Sequence, residues 1–139
     1  MGYELRDHTA DVAVEATAPT LGETFAAVAD GLAAAMCDAI PEDGGERFGI
    51  TVRAESREAL LFDYLDELIY ERDVRGVLPV DHAASVTEGD GEAAWVCAAT
   101  ARGVPLSAVD ARDVKAVTYS EMAIEETADG WRAYVVFDV

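Results

Sequence analysis

Lysine is nearly absent from this chain: 28 acidic residues face 10 basic ones, and Lys115 is the sole lysine. The resulting net charge of −18 argues against direct nucleic-acid binding, because phosphate is normally met by a Lys/Arg footprint. Long apolar runs are missing too. No stretch approaches the ~20 residues that a helix needs to cross a bilayer, and the opening Met-Gly-Tyr-Glu-Leu-Arg-Asp lacks the basic-then-apolar order of a secretory signal. A soluble, cytoplasmic protein is therefore expected. Cysteine is scarce. Cys37 and Cys97 belong to no CxxC pair and have no His at zinc-ligand spacing, so both are expected as reduced, buried small hydrophobes. With no linker, repeat or low-complexity tract, residues 1–139 read as one domain, long enough to bury a core.

Catalytic signatures are equally hard to find. Gly44-Gly45 and Gly89-Asp-Gly91 lack both the Walker lysine and the dinucleotide-binding spacing, and no Gly-x-Ser-x-Gly elbow occurs. Asp7, His8 and Ser120 make a triad on paper only, since a chain this rich in Asp offers such trios by chance. A non-catalytic protein is expected.

What is present is charge and clear periodicity. High charge with few aromatics often means disorder, but 51% hydrophobic residues in regular patterns oppose it. An excess of carboxylates suits a salt-rich cytoplasm, where salt screens their mutual repulsion; a halophilic source is inferred.

Two extended stretches, 2–6 and 11–18, flank the polar break Asp7-His8-Thr9-Ala10. In the second, Val12, Val14 and Ala16 alternate with Ala13, Glu15 and Thr17, the pattern of a half-buried strand. Thr20-Leu-Gly-Glu23 then reads as a capping box, opening a helix whose stripe is Leu21, Phe25, Val28, Leu32 and Met36. Pro41 and Gly44-Gly45 close it into a loop. A strand follows on Phe48, Ile50 and Val52. Ser56 caps a second helix with Glu58 in its first turn; Leu60, Leu61, Tyr64, Leu65, Leu68 and Ile69 form its buried face, and Gly76 and Pro79 stop it. Beyond Val80 only strands and turns are read: 80–87 and 93–102 around a turn at 88–92, a looser segment 103–113, then strands 114–125 and 131–139 around Thr127-Ala-Asp-Gly130. The order β-β-α-β-α-β-β-β-β predicts an α+β fold, two helices packed on a mainly antiparallel sheet.

Two features invite a chemical reading. Asp11 follows the polar break, Asp138 is penultimate, and the α-carboxylate of Val139 comes one residue later. If the last strand runs beside the first ones, these anions converge, and hard oxygen donors select Ca²⁺ or Mg²⁺ over zinc. The bland alternative is that both aspartates are ordinary solvated acids. Lys115, the lone lysine in a strand pattern, either pairs with a neighbouring carboxylate or contacts a phosphate or an acidic partner.

Asp7-His-Thr-Ala-Asp-Val12 resembles the N-terminal hallmark of the archease family. Thr20-Leu-Gly-Glu-Thr-Phe25, Leu60-Leu-Phe-Asp-Tyr-Leu-Asp-Glu-Leu-Ile-Tyr70, Val114-Lys-Ala-Val-Thr-Tyr119 with Met122, and the closing Val-Val-Phe-Asp-Val139 agree in order and spacing. The resemblance spans essentially the whole chain. It implies an archease-like fold and an accessory role for the GTP- and metal-dependent tRNA-splicing RNA ligase, which joins ends bearing a 2′,3′-cyclic phosphate or 3′-phosphate to a 5′-hydroxyl. Archeases promote guanylylation of that ligase and its multiple turnover. The resemblance also implies a metal site, calcium-like with Mg²⁺ or Mn²⁺ as other occupants, on Asp11, Asp138 and Val139. His8 and Lys115 are expected nearby as contacts to phosphate or ligase. A chaperone-like binding module for RNA-processing proteins, and a small hydrolase using His8, are the rival readings.

Overall fold

The structure is a computed structural model that describes residues 2–8 and 11–139, with the side chains of 6–8 outside the described set. Seven strands and two α-helices follow the expected order: β1 Gly2–His8, β2 Asp11–Ala18, α1 Leu21–Met36, β3 Glu46–Ala54, α2 Arg57–Arg75, β4 Val77–Glu88, β5 Trp95–Pro105, β6 Ala116–Thr127 and β7 Gly130–Asp138. A 3₁₀ turn, Leu106–Ala108, lies in the looser segment.

The expected sheet is in fact two sheets. One has the order β1-β2-β7-β6 and the other β3-β5-β4, and every pairing in both is antiparallel. Both helices touch strands of both sheets, so the helical layer lies between them. The alternation in β2 sets the first sheet's orientation: Val12, Val14 and Ala16 pair with Phe137, Val135 and Ala133 on the face that carries core residues.

α1 begins as its capping box requires. The Thr20 hydroxyl accepts from the Glu23 amide at 3.1 Å and donates to the Glu23 carboxylate at 3.0 Å. The helix is more buried than a one-stripe amphipathic pattern predicts: only Glu23, Asp30 and Ala34 escape full burial. Its glycines permit this. A Cβ on Gly22 would meet the Ala84 carbonyl oxygen at 2.6 Å, and one on Gly31 would meet Val14 at 2.5 Å, so bare backbone lets the helix approach both sheets.

α2 is capped by Ser56, whose hydroxyl accepts from Ala59 N–H at 3.1 Å. It ends at Gly76 in the left-handed region, φ 65°, where glycine carries no Cβ penalty. Its predicted face is buried as a set, at roughly 1.5–3 kcal/mol for each large apolar side chain. Pro79 lies inside β4 rather than in a loop; β4 is an edge strand, where a missing N–H is tolerated.

Candidate functional site

The first sheet carries its acids at one end. Asp11 stands opposite Asp138 across the β2–β7 ladder. His8 is the register partner of Asp11 on β1, and Ala116 that of Asp138 on β6. These four positions form one row across the sheet. Val12 and Phe137, next along, point into the helical layer, so Asp11 and Asp138 lie on the outer face. Asp11 is half-buried, whereas Asp138 and Val139 are exposed.

Directly opposed residues on antiparallel strands hold their Cβ atoms about 4.5–5.5 Å apart, and like charges there are destabilising. A hard cation removes that repulsion and matches the donor chemistry. Among the described residues no three His, Cys, Asp or Glu side chains come together as a metal cluster. The third anionic donor of the expected set is the α-carboxylate of Val139, which follows Asp138 directly in the chain. The donor set therefore fits a divalent ion such as Ca²⁺, with two paired carboxylates as its foundation.

Lys115 joins the same end through its backbone, its N–H donating to the Asp138 carbonyl at 2.8 Å, while its side chain is exposed. Two arginines fix the loop that delivers it. Arg72, buried at 6% exposure, donates from Nη1 to the Val114 carbonyl at 3.1 Å and pairs with Asp113 at 3.2 Å. Arg112 donates from Nε to the Ala35 carbonyl at 3.1 Å and forks onto both oxygens of Asp38. That hydrogen bond, and then the guanidinium charge, hold the Asp38 carboxyl below its ordinary range. On the same outer face, Arg132 bridges Glu15 of β2, at 2.6 Å, and Glu125 of β6, at 2.6 Å. The acidic row thus sits on a cross-braced sheet.

The paper triad of Asp7, His8 and Ser120 is not assembled by anything described: the side chains of Asp7 and His8 lie outside the described residues, and Ser120 is exposed. Both cysteines are free and buried, as expected. Burial pushes the Cys97 thiol up to about 12.

Sequence reasoning did not find a second histidine site. β4 has a bulge between Val80 and Ala83, where Asp81 takes a positive φ of 50°. Arg47 clamps it, donating from Nη2 to the Asp81 carbonyl at 2.9 Å and to its carboxylate at 2.6 Å. The His82 side chain, 1% exposed, meets Asp30 of α1: Nδ1 lies 2.8 Å from Oδ1, which also accepts the His82 backbone N–H at 3.1 Å. The bulge was the missing signal, because an extra residue in a strand leaves no mark on hydrophobic alternation this short.

The fold and its acidic row define a small two-sheet α+β protein with a polar site at one sheet end and no assembled nucleophile among the described residues. Residues 3–139 match the Archease protein family (MTH1598/TM1083). The chain belongs to the archease family. Protein archease of Pyrococcus furiosus is 32% identical over 99% of this chain and 98% of its own length. That of Archaeoglobus fulgidus is 33% identical over the whole of both chains. Among solved structures, protein 1598 of Methanobacterium thermoautotrophicum is similar with a TM-score of 0.78 and 26% identity, covering 99% of each chain. An archease of Thermotoga maritima, described as a possible chaperone, has the same fold, with a TM-score of 0.63 and 20% identity over 96% of this chain and 94% of its own.

Proposed function

We propose that this protein is a non-catalytic activator of the GTP-dependent RNA-splicing ligase of tRNA processing, promoting the ligase's guanylylation and its repeated turnover. Family membership along the whole chain supports the class of function, and the observation that carries the site is the Asp11–Asp138 pair, set directly opposite on neighbouring strands.

In this reading Asp11, Asp138 and the Val139 carboxylate hold a divalent ion, most simply Ca²⁺, at an exposed sheet end that a larger partner can cover. A bound ion supplies charge neutralisation and orientation to phosphate groups in nucleotidyl transfer. Asp11, half-buried in the ladder, fixes the position of the donor pair, while Asp138 and Val139 present the open side. Lys115, held beside Asp138 by its backbone, offers a mobile cation to ligase or phosphate, and His8 occupies the next position in the row. Neither contacts RNA alone: with a net charge of −18, the surface steers toward a protein partner.

Multiple-turnover ligation with limiting ligase and an RNA bearing a 3′-phosphate tests this. The protein raises product beyond one equivalent of ligase, and Asp11→Ala loses most of that gain. Unchanged stimulation by the variant would remove the metal site from the proposal. The chaperone-like reading, in line with the wording attached to the Thermotoga protein, predicts instead that both forms suppress ligase aggregation equally without altering turnover.

A further inference from the structure

Arg72 is the sole arginine buried among the described residues, near the end of α2. Burying a guanidinium carries a desolvation penalty that an apolar side chain of similar volume avoids, so stability alone is a poor reason for it. Every nitrogen of this one is engaged. Nε donates to the Asp73 carboxylate on the same helix at 3.1 Å. Nη1 donates to the Val114 carbonyl at 3.1 Å, with the Met36 sulfur at 3.3 Å, and Nη2 meets the Asp113 carboxylate at 3.2 Å. The planar fork ties the end of α2 to both the backbone and a side chain of one short segment.

That segment has no ladder of its own. Residues 110–115 form neither helix nor strand, and β6 begins at Ala116. Arg112 secures its start, the backbone N–H donating to the Met36 carbonyl, and the Val114 side chain is buried. Arg72 grips something more particular: the peptide group between Val114 and Lys115. The carbonyl of that peptide accepts from Nη1, and its N–H donates to the Asp138 carbonyl at 2.8 Å. Asp11 has a register partner on each side, His8 and Asp138. Asp138 has Asp11 on one side and, on the other, Ala116 and this Lys115 bond. Val139 lies beyond the strand. The last residues of β7 therefore rest, on the β6 side, against the peptide that Arg72 holds.

We propose that Arg72 is a positioning residue for the divalent-ion site: through the Val114–Lys115 peptide it sets how Asp138 and the Val139 carboxylate are presented beside Asp11, and so sets the affinity for the cation. The inference rests on the ion site of the proposed function. A peptide's carbonyl and N–H are fixed in one plane, so the guanidinium that holds the carbonyl also aims the N–H at Asp138. Polarisation along the chain of hydrogen bonds strengthens that second bond. Residues that orient metal ligands without touching the metal commonly change its affinity by about 10- to 100-fold. Lysine would keep the charge, but a single compact ammonium cannot reproduce a fork that spans Asp73, Val114 and Asp113.

The test is a calorimetric titration of Ca²⁺ into the whole protein, in about 1 M KCl to screen loose binding at the many surface acids. The wild type should bind saturably and Asp11→Ala should not. Arg72→Lys should bind about tenfold more weakly than wild type, and Asp113→Asn should move the same way by a smaller factor. Asp110→Asn removes an exposed acid of the same segment that Arg72 does not pair with, and it should bind as the wild type does. Amide exchange in the metal-free protein gives a second readout: Arg72→Lys should speed exchange at Lys115 and leave Val135, at the centre of β7, unchanged. A merely structural arginine would lower the melting temperature while the folded protein bound Ca²⁺ as before. Asp113→Asn alters a side chain that is 80% exposed, so it decides the question if Arg72→Lys does not fold. Wild-type affinity in Arg72→Lys, or in Asp113→Asn where it stands in, would overturn the inference and leave the ion site standing. Binding no better in the wild type than in Asp11→Ala would overturn the ion site, and this inference with it.

Discussion

At the scale of single residues, the least replaceable charge is Arg72. It sits buried in the last turn of α2, where a cation also favours the helix dipole, and it supplies a donor to the Val114 carbonyl. Arg72→Ala leaves that carbonyl short of a partner and opens a void beneath the Lys115 segment. The expected loss is about 2–4 kcal/mol by urea unfolding, and Arg72→Lys should recover only part of it because the planar fork is gone. Cys97 makes the converse point. Its thiol, pushed up to about 12 by burial, stays uncharged at pH 8, so an aromatic disulfide reagent should label it only after denaturant is added. The sequence already marked both cysteines as buried, and it brought Asp11 near Asp138 only on the condition that the last strand runs beside the first ones; the β2–β7 ladder meets that condition. It did not reveal the Asp30–His82 contact or the Arg72 anchor. Both link residues far apart in the chain, through a bulge and a loop path that no local pattern encodes.

At the scale of elements, caps and alternation were legible and sheet partition was not. Thr20, Ser56 and Gly76 each do at a helix end what their side chains, or the lack of one, allow. The division into two sheets depends on both helices being covered on two sides, which follows from small residues on α1 rather than from any periodicity. Gly22 carries that argument: its absent Cβ would lie 2.6 Å from the Ala84 carbonyl and 2.9 Å from the Ser85 Cα. Backbone on both sides cannot swing away, so Gly22→Ala should cost about 1–3 kcal/mol by denaturant unfolding, despite alanine's higher helix propensity.

The acidic face of α2 behaves oppositely. Burial first, then Glu71 and Asp66, raise the Glu67 carboxyl; burial and Asp66 raise that of Asp63. A carboxyl raised in the folded state is disfavoured there as the anion. The penalty is therefore complete above its folded-state value and fades as pH falls through it. Glu67→Gln should stabilise by about 0.2–0.5 kcal/mol near neutral pH, the scale of one like-charged i,i+4 pair. That gain should shrink on acidification into the carboxylate range and in high salt. A gain that persists at pH 3 would contradict this account.

At the scale of the whole molecule, a net charge of −18 carried by two sheets and two helices sets the behaviour. Self-repulsion opposes the compact state, and added salt screens it within a Debye length of about 3 Å at 1 M. The thermal midpoint should therefore rise steadily from low to molar salt; a flat or falling curve would show that exposed ion pairs such as Arg112–Asp38 outweigh the repulsion. The same charge repels nucleic-acid phosphate, and under the proposed function a divalent cation would offset the repulsion between the opposed aspartates of the first sheet.

Under the proposed function this protein acts through the ligase, using the Asp11–Asp138 end. GTP-dependent labelling of the cognate ligase at high salt, with and without this protein, tests it most directly. The wild type should raise the labelled fraction, and Asp11→Ala, though folded, should not. Labelling that is the same with and without the wild type, under conditions where the ligase alone is active, would contradict it.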